Sequence, residues 1–250
     1  MISNDHPRYE SLISREKMVN AYNAGILADA GLIAHGRGEA FDYLIGEKTT
    51  KTAERAIKAG CAALILANNP VISVNGNAAA LVSEDIVKLA HVLDAKIEIN
   101  LFYRTSQRVN AIFKVLKKAG AEEILGTEED ALEHINGLNS PRGKVSKEGM
   151  LNADVVLVPL EDGDRTEALV ANGKFVIAID LNPLSRTSKT ASITIVDNII
   201  RVIPALIKKA EELKKFDKKT LKNLIDDFNN NDNLKESLKT ILSSIEKFEA

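Results

Sequence analysis

Asp180-Leu181-Asn182-Pro183 opens a polar turn that continues to Arg186 and Thr187 and directly follows an apolar run, residues 175–179. An acid, an amide, a guanidinium and hydroxyls in one turn are the groups that hold sugar hydroxyls and phosphates. A second apolar run, residues 193–196, ends the same way in Asp197-Asn198. Upstream, Gly36-Arg37-Gly38 sets a planar fork for phosphate or carboxylate between two residues that permit close approach. Arg104-Thr105-Ser106-Gln107-Arg108 gathers two hydroxyls and two arginines at a helix start, the ingredients of a phosphate cradle. Asn75-Gly76-Asn77 precedes small side chains that let a ligand come near, and Glu39, Asp42 and His35 add groups that hold or take a proton. Each has a plainer reading: Asp180, Asn182 and Pro183 also make a turn, as does Asn75-Gly76, and Thr105 also caps a helix among solvated arginines. A lone histidine without a partner at metal spacing also reads as structural.

Such groups need strands that end together, because ligands of parallel sheets sit beyond the strands' carboxyl ends. Periodicity predicts a helix over 8–30 stopped by Gly31, with Ser14 as a cap and Arg15 near its start, then a loop over 34–43. A helix over 49–59, ended by Gly60, precedes a first strand at 61–67 that no glycine-rich turn follows. Ser83 opens a helix to Leu93, a second strand spans 96–103, and a helix runs from about Arg104 to Gly120. Further strands are expected at 122–126 and 154–160, with helices at 127–138 and 167–171 and a linker at 139–144. The remainder reads as a helical tail, broken near Pro204 and Asp217, with an apolar stripe from Leu221 to Phe248. The predicted fold is α/β, a Rossmann-like, three-layer, parallel-rich sheet in one domain over 1–250: helical over 1–60, sheet core over 61–198, helical tail over 199–250.

Composition narrows the function. Of 250 residues, 45% are hydrophobic, enough for a sizeable core, and the 33 Lys+Arg are balanced to a net charge of -2, against a nucleic-acid stripe. Aromatics at 4% leave little for stacking bases. The single Cys61 excludes an intramolecular disulfide, residues 1–10 are too polar for a signal peptide, and no apolar run is long enough to span a bilayer. A cytoplasmic protein without nucleic-acid or membrane partners is expected.

Taken in order, Ser14-Arg15-Glu16, the run 35–44, Val74 to Leu81, Asn100 to Thr105, Val158 to Arg165, Ile179 to Thr187 and Val196 to Arg201 resemble the archaeal phosphopantothenate synthetases, also called 4-phosphopantoate–β-alanine ligases. The resemblance implies that ATP, 4-phosphopantoate and β-alanine become 4'-phosphopantothenate, AMP and pyrophosphate in coenzyme A biosynthesis, in a cytoplasmic homodimer. It implies ATP contacts at Arg15, Arg37, Asp180, Leu181, Asn182, Arg186, Thr187, Asn198 and Ile199, with Arg37 and Arg186 catalytic alongside Mg2+. By residue type, Arg104, Thr105 and Arg108 suit the 4-phosphate, Asn77 the pantoate, and Glu39 or Asp42 the β-alanine amine; no metal ligand is assigned. A nicotinamide-dependent oxidoreductase and a non-catalytic nucleotide-binding module are the alternatives.

Overall fold

Residues 5–6, 8–138 and 140–247 are described by a computed structural model; residues 1–4, Asn139 and Phe248 lie outside them. Strands β1 (Pro70–Val74), β2 (Lys96–Ile99), β5 (Val155–Pro159), β6 (Phe175–Ile179) and β7 (Ile193–Ile195) form one parallel sheet in the order β2-β1-β5-β6-β7. Val74 stands opposite Ile99, and Pro159 opposite Ile179, so the carboxyl ends are level. The order reverses between β1 and β5, and a doubly wound sheet opens its crevice at such a reversal. A short antiparallel hairpin, β3 (Leu132–His134) with β4 (Lys144–Ser146), packs separately.

Helices cover both faces, which is why the strands read as unbroken Val/Ile/Leu runs. One face carries α3 (Lys51–Leu66), α4 (Gly76–Leu93), α5 (Ser106–Lys118) and α8 (Ile199–Leu213). The other carries α6 (Gly163–Ala171), the hairpin and Met150. Burying each Leu or Ile side chain in these layers contributes about 1.5–3 kcal/mol. Helices α1 (Tyr9–Asn23) and α2 (Asp29–Ile45) lie over the carboxyl edge, α7 (Arg186–Thr190) follows β6, and α9 (Lys218–Asp226) and α10 (Asn230–Glu246) close the chain.

Several expectations fail for physical reasons. The run 61–67 is the last part of α3, not a strand. Residues 59 to 64 are all buried, so no polar face marks the helical period, and Gly60 is internal because a Cβ there would lie 3.2 Å from Ile177 Cγ2. Gly31 does not stop the first helix, and Ser14 sits within α1 rather than capping it; α1 ends at Asn23, and Gly25 turns the chain at φ 73°. Residues 34–43 are helical, within α2. The segment 122–126 contributes only one bridge, Leu125 to Glu98. Thr127 to Asp130 makes cap-like bonds, Thr127 N to Asp130 Oδ2 at 2.8 Å and Glu129 N to Thr127 Oγ1 at 3.3 Å, yet a turn and β3 follow instead of a helix. The supposed linker 139–144 holds a buried Arg142. Pro204 does not break α8, whose face of Val202, Ile203, Leu206 and Ile207 is buried against α3 and α4. Asp217 does end that stretch, capping α9 through Thr220 N at 2.9 Å.

Candidate functional site

Along the carboxyl edge of the sheet runs a crevice with α2 laid across it. Gly31, Ala34 and Gly38 fall on one side of that helix and let it come close: a Cβ on Gly31 would lie 2.7 Å from Asn77 Oδ1, and one on Gly38 3.5 Å from Leu181 Cδ1. The glycines that flank Arg37 therefore serve packing and open space, not positive φ; Gly36 has nothing near it. Asn77 Nδ2 donates to Gly31 O at 2.9 Å, and Arg108 Nη2 to Ile26 O at 3.2 Å, pinning the α1–α2 connection to the start of α4 and to α5.

The crevice has three parts. At the β1/β5 reversal is a chamber of about 250 Å3 whose cations are Arg37, Arg108 and Arg142, joined by Asn75, Asn77 and Asp162. Asn75 caps α4, accepting from Ala78 N at 3.0 Å, so that helix's amino end faces the same space. Phe102 and Tyr103 stand at its rim, half exposed, with the Arg142 guanidinium 5.2 Å from the Phe102 ring centroid. A waist of about 70 Å3 follows, mostly apolar, with Leu81, Leu160, Leu181 and Ile199 facing His35, Glu39 and Asn198. Beyond it lies a chamber of about 470 Å3 lined by Arg8, Ser11, Glu39, Asp42, Asn198 and Arg201, among others. Leu160 borders both the waist and the smaller chamber at φ 53°, a left-handed conformation rare for leucine and of the kind functional sites hold in place.

Titration follows from these surroundings. Burial lowers His35, keeping the imidazole neutral, and its Nε2 has no partner among the described residues. Burial pushes Glu39 up, but bonds from Ser11 at 2.8 Å and Arg15 at 3.0 Å outweigh it and hold the carboxyl below its usual range. Asp42, 6% exposed, accepts from Arg201 Nη2 at 2.5 Å and Asn198 Nδ2 at 2.7 Å, and Arg201 also donates to Asp197. Burial lowers the Arg142 guanidinium, which Glu161 partly offsets.

A family model described as phosphopantothenate/pantothenate synthetase matches residues 52–244. The chain belongs to this family. Proteins named 4-phosphopantoate–β-alanine ligase are similar throughout: that of Thermococcus onnurineus is 54% identical over 98% of this chain and 94% of its own length. That of Thermococcus kodakarensis is 54% identical over 95% and 90%, and that of Methanosarcina mazei 55% identical over 96% and 94%.

Of the residues expected to meet ATP in this synthetase family, the crevice brings together Arg37 in the smaller chamber, Leu181 and Ile199 at the waist, and Asn198 at the waist and the larger chamber, beside the Arg15–Glu39 pair. The Asp180 turn braces itself: its part-buried carboxylate, raised by desolvation, accepts from Asn182 N at 2.9 Å and Ser185 Oγ at 2.5 Å. Thr187 Oγ1 donates to Glu161 O at 2.8 Å. Arg186 lies outside the three cavities, its side chain 61% exposed and paired with Asp164 and Glu167 at 2.7 Å each. On the substrate side, Asn77 and Arg108 line the smaller chamber, whereas Arg104 is latched to Gly126 O and Glu128 and Thr105 caps α5. Sequence reasoning missed Arg142 and Arg165. Nothing in a Pro-Arg-Gly loop or a helical arginine signals burial.

Proposed function

We propose that this chain is an ATP-dependent ligase that condenses 4-phosphopantoate with β-alanine to 4'-phosphopantothenate, releasing AMP and pyrophosphate, in the coenzyme A pathway. The observation that carries the reading is identity above one half, across nearly the whole chain, to ligases of that name. The crevice agrees with it chemically, having a chamber with three arginines at one end, a larger chamber at the other and a narrow, mostly apolar waist between them.

A carboxylate is a poor acyl donor, so it is first activated. One carboxylate oxygen of phosphopantoate bonds to the α-phosphorus of ATP while the bond to the bridging oxygen of pyrophosphate breaks, giving an acyl adenylate. The β-alanine nitrogen then bonds to the acyl carbon, and the carbon–oxygen bond to AMP breaks. In the first step two anions meet, and a preorganised cation at the developing charge supplies roughly 10²–10³ in rate. That role is assigned to Arg37, whose helix crosses the crevice, and to Arg186, which must exchange Asp164 and Glu167 for pyrophosphate. Exposed pairs are worth only about 0–1 kcal/mol, so the exchange is cheap. Arg15 and Asn198 are assigned the nucleotide at the larger chamber and Leu181 and Ile199 its passage at the waist, with Asp180, Asn182 and Thr187 holding the turn that carries Leu181. Among the described residues no three His, Cys, Asp or Glu side chains are grouped to hold a metal, so magnesium is taken to arrive as MgATP, part of the substrate.

The 4-phosphate is assigned to Arg108, Arg142 and Asn77 in the smaller chamber, with Arg37 there kept for ATP; Arg104 and Thr105 act by shaping the start of α5. Both acids are paired, Asp42 with Arg201 and Asn198 and Glu39 with Ser11 and the half-exposed Arg15, but Glu39 lines the waist and Asp42 does not, so Glu39 is assigned the β-alanine ammonium. His35, one turn earlier on α2 and neutral, takes the proton that frees the amine. The assembly is a homodimer in this reading, and apolar residues exposed on α1 and α2, Val19, Tyr22 and Ile33, favour a second copy there. No helix of the described residues is long and apolar enough to cross a membrane, and cytoplasmic residence is part of the proposal.

The test is turnover with MgATP, 4-phosphopantoate and β-alanine. AMP release that needs both co-substrates is expected. AMP release without β-alanine, or binding of ATP with no turnover, would contradict the assignment.

A further inference from the structure

Behind the smaller chamber lie two buried arginines and only one buried carboxylate joined to them. Glu161, its side chain 1% exposed, accepts from Arg142 Nη2 through Oε1 and from Arg165 Nη1 through Oε2, both at 2.5 Å. Arg165 is fully buried on α6, reaches Ser73 Oγ on β1 at 3.0 Å, and leaves Nε and Nη2 without partners among the described residues; Arg142 leaves Nε likewise. The second acid bonded to Arg142, Asp162, is half in solvent, where water screens it. Another buried acid, Glu98, feels the charge of Arg165 but gives its oxygens to the amides of Ser146 and Met150, not to either guanidinium, and burial raises its carboxyl. Two buried guanidiniums thus share one buried carboxylate, and the half-exposed Asp162 offsets the remaining positive charge only in part, so the cluster favours an anion in the chamber beside it. Arg142 lines the chamber and Arg165 does not, so the charge of the hidden arginine reaches a ligand only through Glu161 and Arg142.

Resting on the ligase reading, we infer that Arg165 is a positioning residue that sets the preference for the phosphorylated hydroxy acid over the unphosphorylated one. By holding one oxygen of Glu161, it prevents that carboxylate from fully cancelling Arg142, so the guanidinium keeps a net pull on a dianion in the chamber. Without Arg165, Glu161 and Arg142 become a closed neutral pair, and the chamber loses its selectivity while the nucleotide and amine sites keep theirs.

The experiment compares AMP formation from 4-phosphopantoate and from pantoate in the wild type, Arg165→Met, Arg165→Lys and Glu161→Gln. Arg165→Met is expected to raise KM for 4-phosphopantoate roughly tenfold, a modest fraction of what breaking a buried charge pair directly costs, with KM for ATP, KM for β-alanine and kcat/KM for pantoate within about twofold. Arg165→Lys restores most of the preference because the charge returns. Glu161→Gln, which removes the acid instead, retains or increases it, and carries the test should Arg165→Met not fold. A preference unchanged in Arg165→Met, a uniform rise in all KM values, or a preference that collapses in Glu161→Gln would overturn the inference. Failure of the wild type to release AMP with either acid would instead sink the ligase reading itself.

Discussion

Replacing Glu98 by glutamine should remove a loss of stability that the wild type suffers as the pH rises from 5 to 8. Glu98 is fully buried near the end of β2, and burial pushes its carboxyl from 4.5 up to about 7, although the Met150 and Ser146 amides at 2.7 and 3.2 Å oppose the shift. The folded state therefore holds a proton that the unfolded chain releases. A pKa raised on folding contributes stability that is whole below about pH 4.5 and lost as pH rises through about 7; a difference of that size corresponds to about 3 kcal/mol. Glutamine does not titrate, but it keeps one oxygen acceptor for the two amides that Glu98 bonds, so its NH2 side meets one of those donors at a cost that is the same at every pH. Urea or thermal unfolding of the two proteins at pH 5 and pH 8 isolates this group, since every other titration cancels. The advantage of Glu98→Gln should grow by about 2–3 kcal/mol between those pH values, on the order of 5–10 °C in Tm for a chain of this length. Parallel pH profiles, or a wild type that gains on the mutant as pH rises, would refute the reasoning.

Arg37→Ala and Arg186→Ala should each lower kcat/KM for ATP by roughly 10²-fold with an unchanged Tm, although 149 positions separate them in sequence; steady-state kinetics at saturating 4-phosphopantoate checks this, and a loss confined to one variant would reassign the other. Asp42→Asn should cost about 2 kcal/mol of stability, less than a fully buried pair because the Arg201 side chain is 22% exposed. Combined with Arg201→Gln it should cost little more than alone, and strictly additive losses in denaturant titrations would show that the two do not act as a pair.

The parts of the fold that were legible are those where local chemistry and tertiary position agree. Val155–Pro159 and Phe175–Ile179 are buried on both sides of a parallel sheet and end in polar turns, so composition and position say the same thing. Asn198 and Asp217 cap the helices they precede. The illegible parts are those where distant contacts decide. Residues 61–67 are apolar on every side because the sheet and α8 enclose α3, which erases the helical period. Thr127 satisfies its cap locally and no helix follows, because the next residues pair with β4 across the chain. That Arg37 lies within a helix was not legible, since Gly36 and Gly38 argue for a loop by propensity. Arg142 and Arg165 were hidden because burial of a cation depends on a carboxylate, Glu161, that sequence spacing links only to Arg165.

The acyl adenylate is the central intermediate, and transfer of labelled oxygen tests for it directly. With 18O in the carboxylate of 4-phosphopantoate, the bond formed to the α-phosphorus and then cleaved on the carbon side leaves one labelled oxygen in AMP. Mass spectrometry of the nucleotide product should find that label in AMP, one per amide formed. Label in inorganic phosphate, with ADP as the nucleotide product, would show activation at the γ-phosphorus and contradict the mechanism.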